Sequence, residues 1–185
     1  MSWTRKFSII SVLAVGAVIF TLRSSSAAPV PHSAHARALD DATIVAIFDS
    51  ANTSDIETGE LGAKMGSTKE IRAFGAMLAR DHKNVRQQGR DLAKKLGVTP
   101  TPPKDEGSSK AHAAVMKKLK SLKGAEFDKA SLQNEVGYHE AVISAVNTTL
   151  LPAIQNADLK QLVVTVAPAF AAHRDAAKNM LDKMQ

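Results

Sequence analysis

The sequence predicts an all-α protein, a four-helix bundle with a short extra helix in the long connection between helices 2 and 3. Three observations support this prediction. From about residue 41 onward, apolar residues recur at helical spacing. Aromatic residues make up only 4% of the 185 residues, less than a β-sandwich or β-barrel usually contains. Four long segments are joined by a short, a long and a short connection, which is typical of a bundle.

The first two long helices form the first pair. The first is expected over residues 41–65, opened by an Asp pair suited to capping, with a stripe of small or apolar residues that includes Ala51. The second is expected to begin at Ser67, with Glu70 completing a capping box, and to end at Gly97. These boundaries predict two helices of similar length that pack against each other.

A proline-rich segment, VTPTPPKDEGSS, separates the two pairs because no helix accommodates three such prolines. A short helix is expected over residues 110–122. The third long helix is expected over 125–151, and the fourth from 156 or 158 to 184. Pro168 lies within the apolar pattern of the fourth helix, which predicts a kink rather than a break. The bundle domain is therefore expected to span residues 41–185.

The N-terminus has the pattern of an export signal over residues 1–28. Arg5 and Lys6 precede a mostly apolar run at residues 7–22, and small residues follow. The expected cleavage site is after Ala27 or Ala28, and Ala34-His35-Ala36 is a later alternative. Residues 29–40 are expected to be a flexible leader. A cleaved signal predicts a periplasmic protein, whereas a retained segment at 7–22 predicts a membrane anchor. Either outcome places the bundle on the non-cytoplasmic side of the membrane.

Composition disfavours several functional classes. The chain has no cysteine, which excludes disulfides, thiolate metal sites and cysteine nucleophiles. Three basic residues, Arg5, Lys6 and Arg23, belong to the N-terminal segment, so the net charge falls from +6 to +3 beyond Ala28. The remaining charge is dispersed, and no nucleic-acid partner is expected. No phosphate-binding loop, dinucleotide fingerprint or Ser/His/Asp order is present.

Four polar residues interrupt the apolar stripes, one near the middle of each long helix: Asp55, His82, His139 and His173. The midpoints of antiparallel helices of equal length share a layer, so these side chains are expected to converge. Glu135 lies one turn before His139 on the same face and is a fifth, tentative member. Imidazoles and carboxylates are suitable ligands for one transition-metal ion. A hydrogen-bonded polar network without a metal is the alternative.

A di-iron centre of the ferritin type needs Glu-x-x-His on two helices. Ala79 stands three residues before His82, and Phe170 stands three before His173. Neither helix carries the motif, so a ferroxidase centre is not expected. A metal site here would be mononuclear.

The chain also resembles a bacterial family of unknown function, family 4142, whose members are exported and often described as membrane proteins with a ferritin-like fold. Four stretches carry the resemblance: DIETGELG at 55–62, AFGAMLARDH at 73–82, GAEFDKASLQNEVGYH at 124–139 and APAFAAHRDA at 167–176. The family pattern corresponds here to an acidic residue, an Asp-His pair and two later histidines: Asp55, Asp81 with His82, His139 and His173.

The chain departs from the family pattern at two positions. Asp55 stands where the family more often has Glu, and Ser131 stands where it usually has Tyr. The resemblance does not extend to Glu135, and it implies fold and location without an activity. The sequence favours a non-enzymatic binding or stress-related module of the bacterial envelope. A metal-binding protein or mononuclear metalloenzyme is the alternative.

Overall fold

The computed structural model describes residues 39–103 and 107–184. The signal or anchor at 1–28 and nearly all of the leader at 29–40 lie outside the described residues. Six α-helices account for the regular structure, together with one π-helical turn, and the described residues contain no strand. The predicted all-α class and the extra helix after the second long helix are confirmed.

The first helix, α1, spans Asp41–Met65, and the second, α2, spans Lys69–Leu96. The Asp40 side chain caps α1 by accepting a hydrogen bond from the Thr43 amide at 2.8 Å. The predicted cap of α2 is wrong, because Thr68 rather than Ser67 caps that helix. Ser67 has another role, since its amide and hydroxyl both donate to the buried Asp128 carboxylate. Gly97 ends α2 in the left-handed conformation, as a C-terminal glycine commonly does.

Glycines allow α1 and α2 to pack backbone against backbone. A Cβ added at Gly75 would lie 2.4 Å from the Ala63 nitrogen and 2.6 Å from the Gly59 oxygen. Any side chain at this position would therefore separate the two helices. The close approach brings the middle of α1, with Asp55, against the middle of α2, with His82.

The extra helix, α3, spans Gly107–Lys120, beginning and ending slightly earlier than expected. Its C-terminal half packs on the bundle through Leu119, which forms an apolar cluster with Leu61 and Phe127. Its N-terminal half carries small residues, Ser108, Ser109 and Ala111.

The third long helix is less regular than expected. Helix α4 spans Gly124–Ala145, a π-helical turn follows at Val146–Leu150, and the short α5 spans Leu151–Ala153. Pro152 explains the π-helical turn. Proline has no backbone N–H to donate, and in an α-helix its ring would clash with the carbonyl four residues earlier. In the wider turn, the Leu151 amide donates to the Val146 oxygen, five residues back.

The last helix, α6, spans Ala157–Asp182 and is capped by the Asn156 side chain, which accepts from the Leu159 amide. It continues through Pro168 without a break. Proline removes the hydrogen bond to the Val164 carbonyl, and Val164 lies on the exposed side of the helix. Water can therefore replace the lost donor. None of the described helices is both long enough and apolar enough to cross a membrane.

The bundle core is apolar at both ends and polar between them. One apolar cluster includes Phe48, Val163 and Phe170, and a second includes Leu78 and Leu132. A layer of buried histidines and carboxyls lies between these clusters. The fold therefore places its polar core residues where all four long helices meet.

Candidate metal centre

The structure brings together all five residues singled out in the sequence. Asp55 comes from α1, His82 from α2, Glu135 and His139 from α4, and His173 from α6. Their exposed fractions lie between 1% and 5%, so all five are removed from bulk water. Buried ionisable groups are costly unless they are paired or bind an ion.

The three imidazoles form a triangle. The ring centroids of His82 and His173 are 5.1 Å apart, and each lies 5.5 Å from the centroid of His139. One ring nitrogen of each histidine lies within 4.8 Å of a ring nitrogen of the other two. Three side chains at these separations could hold one metal ion.

One nitrogen of each ring is held by a hydrogen-bond acceptor outside the triangle. His82 Nδ1 lies 2.9 Å from Asn52 Oδ1, and His139 Nδ1 lies 3.0 Å from the Glu135 carbonyl oxygen. His173 Nε2 lies 3.3 Å from Asp81 Oδ2. The Asn52 amide is itself oriented, since its nitrogen donates to the Phe48 carbonyl at 2.8 Å.

These acceptors determine the tautomer of each ring. A carbonyl or carboxylate oxygen accepts, so the ring nitrogen facing it carries the proton. The remaining nitrogens, His82 Nε2, His139 Nε2 and His173 Nδ1, then bear lone pairs. All three are buried and have no hydrogen-bond partner. Protein groups behind metal-bound histidines orient the rings in the same way.

Two carboxyl groups adjoin the triangle. Asp55 Oδ2 lies 3.6 Å from His82 Nδ1, and Glu135 Oε2 lies 3.6 Å from His139 Nδ1. The Thr58 and Asn134 side chains lie close enough to the Glu135 carboxyl to oppose, by hydrogen bonding, the rise in its pKa. Asp55, Glu135 and His139 form a second group whose potential ligand atoms lie within 4.8 Å of one another. The centre therefore has a nitrogen side and an oxygen side.

Burial shifts the pKa values in opposite directions on the two sides. It lowers the pKa of His82 to about 3 and that of His139 to about 4, and it also lowers the pKa of His173. Burial raises the pKa of Glu135 to about 7 and holds the pKa of Asp55 well above its usual value. At neutral pH the imidazoles are therefore neutral, the form that binds metal.

Sequence reasoning missed Asn52. The predicted stripe of α1 passed through Ala51, because alanine is small and apolar. In the structure the neighbouring Asn52 is the buried residue, with an exposed fraction of 2%. Its spacing, four residues after Phe48 and three before Asp55, was the available signal. Asp81 was singled out only through the family pattern, and the structure shows its contact with His173.

The residues that the structure describes thus form a helical bundle with a buried cluster of histidines and carboxyls at its centre. Residues 26–180 match the family described as a domain of unknown function, DUF4142, and the chain belongs to that family. The crystal structure of a DUF305 fragment from Deinococcus radiodurans has a similar fold, with a TM-score of 0.68 at 12% sequence identity. The similarity covers 77% of this chain and 95% of that one. No curated protein matches this chain.

Proposed function

We propose that this protein binds one first-row transition-metal ion in the bundle core. The ligands are His82 Nε2, His139 Nε2 and His173 Nδ1, and Asp55 and Glu135 supply compensating charge. The observation that carries the proposal is the set of three buried lone pairs, each without a partner and each on a ring held from behind.

A metal ion accounts for this arrangement better than a hydrogen-bonded network does. The three ring nitrogens are acceptors, so they cannot bond to one another. One water molecule donates two hydrogen bonds and leaves the third lone pair unmet, whereas one ion accepts all three.

The ligand chemistry narrows the class of ion. Imidazole nitrogen suits zinc, copper, nickel and iron, whereas calcium and magnesium prefer oxygen ligands. A divalent ion bound to three neutral imidazoles has a charge of +2. The two adjacent carboxyl groups can lose their protons and balance that charge within the buried layer.

The setting that we propose is outside the cytoplasm, as a binding module rather than an enzyme. The basic residues Arg5 and Lys6, followed by the apolar run at 7–22, support export. The absence of a recognised catalytic motif from the sequence supports binding. Intact-mass measurement of the protein from its native host tests the first point, since a mass lacking residues 1–27 or 1–28 reports cleavage.

Metal titration by calorimetry tests the binding proposal. Wild type is expected to take up one equivalent of Zn²⁺ or Cu²⁺, and protein purified from its native compartment should contain a metal by elemental analysis. His139→Ala should abolish stoichiometric binding. His112→Ala is the matched control, because His112 pairs with Glu57 outside the cluster. Failure of zinc, copper, nickel, iron and manganese to bind wild type would rule out the proposal.

A further inference from the structure

A large cavity adjoins the oxygen side of the cluster. It has a volume of about 1000 Å³ and lies among α1, α3, α4 and the segment that follows α2. Small side chains face one another across it, Ser50 and Ser54 from α1 and Ala111 from α3. Helix α3 contacts α1 through His112 with Glu57 and through Leu119 with Leu61, and these small side chains leave space between the helices beside those contacts.

The inner wall of this cavity includes part of the cluster. Asp55 and Thr58 line it, and both are nearly buried, with exposed fractions of 3% and 4%. Tyr138, next to His139 in sequence, also lines it and donates a hydrogen bond to the Ala51 carbonyl at 3.0 Å. At the outer edge, the Asp49 and Arg90 side chains are 30% and 51% exposed. The cavity therefore extends from partly exposed side chains to the carboxyl group of Asp55.

The polar groups of the cavity suit a hydrated cation. Ser50, Ser54 and Thr58 contribute hydroxyl-bearing side chains to a mostly apolar lining, and Asp55 lines its inner end. The Arg90 guanidinium does not oppose a cation strongly, because it is neutralised by Asp49 through a hydrogen bond of 3.0 Å.

The opposite side of the cluster is occupied by ion pairs. His173 contacts Asp81 there, and Arg80 pairs with the same carboxylate at 2.9 Å. Arg174 is a second guanidinium at this end, and its charge contributes to the lowered pKa of His139. An ion entering on this side would have to separate the Asp81 carboxylate from both His173 and Arg80.

From these observations we infer that the cavity is the access route of the metal ion, and that Asp55 is the ligand through which the ion passes to the three histidines. This inference rests on the proposed function. It assigns to Asp55 a role in uptake as well as in charge balance, and it explains why the bundle keeps a cavity beside a buried site.

Obstructing the cavity should slow uptake without changing affinity, since an obstruction raises the barrier in both directions. The experiment measures Co²⁺ binding to the full chain by stopped-flow absorbance, because cobalt absorbance reports its ligands. Ala111→Trp and Ser50→Phe fill the cavity from opposite walls. Each is expected to slow association at least tenfold and dissociation equally, with an unchanged Kd. Ala114→Trp is the matched control on α3, outside the cavity lining, and should bind at the wild-type rate.

Each outcome bears on the inference. Association rates within twofold of wild type in both obstructed variants, with Co²⁺ still bound, would overturn the access route and leave the proposed function standing. Faster uptake by Arg174→Gln, together with unchanged uptake by the obstructed variants, would place the route at the Asp81 side. A wild-type protein that binds no Co²⁺ would overturn the inference together with the proposed function.

Discussion

His173 differs from the other two histidines in the nitrogen that it turns toward the centre. Its Nε2 contacts Asp81, so its Nδ1 faces inward, whereas His82 and His139 present Nε2. The chemistry is the same in all three cases, because a neutral imidazole can coordinate through either nitrogen once the other is protonated. At the scale of the residue, the site depends on the acceptors behind the rings as much as on the rings themselves.

Asp81→Ala is expected to weaken metal binding by about 10- to 100-fold, the usual effect of removing an outer partner of a metal-bound histidine. His173 would lose the acceptor that fixes its tautomer. The fold should persist, because the Asp81 side chain is 31% exposed. Calorimetric titration measures the affinity. Asp175→Ala, which removes an exposed carboxylate paired with Arg174, is the control and should bind normally.

Glu135 gives the metal-free protein a dependence on pH that can be isolated by substitution. Burial raises its pKa from 4.5 in the unfolded chain to about 7 in the folded one. The folded state therefore keeps a proton that the unfolded state has lost, and this contribution to stability is complete below pH 4.5 and lost as pH rises through 7.

Relative to Glu135→Gln, wild type should become progressively less stable between pH 4.5 and about 7. Urea unfolding of both proteins in the presence of a chelator, at a series of pH values, measures the difference. Subtracting the two free energies of unfolding removes the pH dependence that His82 and His139 contribute, which has the opposite sign. Their lowered pKa values cost stability as pH falls below 6.5. A difference that does not vary with pH would mean that folding does not raise the pKa of Glu135.

At the scale of the helix, the close contact between α1 and α2 depends on glycine residues, which have no side chain. Gly75→Ala places a methyl group 2.4 Å from the Ala63 nitrogen. Overpacking against backbone typically costs about 1–3 kcal/mol, and here we expect the upper end because backbone cannot move aside easily. Denaturant unfolding measures the loss.

Gly137→Ala is the matched control within α4. A Cβ there would meet nothing within 4 Å, so only helix propensity should act, and the variant should be stabilised by about 0.5–1 kcal/mol. Equal effects of the two substitutions would contradict the close packing of α1 on α2.

Helical periodicity predicted the elements well because each long helix has one apolar face that must be buried. The same pattern placed Asp55, His82, His139 and His173 in one layer, since midpoints of antiparallel helices coincide. Helical periodicity could not predict contacts between residues that are distant in sequence. Ser67 appeared to be a local cap, and only the fold shows that Asp128, 61 residues away, accepts its hydrogen bonds. Asn52 was missed because hydrophobicity favours Ala51 at the adjacent position.

At the scale of the whole molecule, a polar layer divides a core that apolar residues could have filled. Buried polar groups without partners destabilise a fold, so the metal-free bundle is expected to be less stable than its size allows. A ligand that binds only the folded state stabilises it by mass action, by about 2.7 kcal/mol at a concentration 100 times Kd.

The Tm of thermal unfolding should therefore depend on whether metal is bound. A saturating excess of Zn²⁺ is expected to raise the Tm of wild type, and a chelator should return it to the metal-free value. His139→Ala should show no such shift. If Zn²⁺ raises the Tm of both proteins equally, it binds at some other surface.

X-ray absorption at the zinc edge tests the three-histidine centre, because it reports the ligands of the bound ion. For wild type loaded with one equivalent of zinc, we expect three imidazole nitrogens at about 2.0 Å from the zinc ion. The His139→Ala protein should lack this signature. A zinc ion surrounded by oxygen alone, or by fewer than three imidazoles in wild type, would contradict a centre built from His82, His139 and His173.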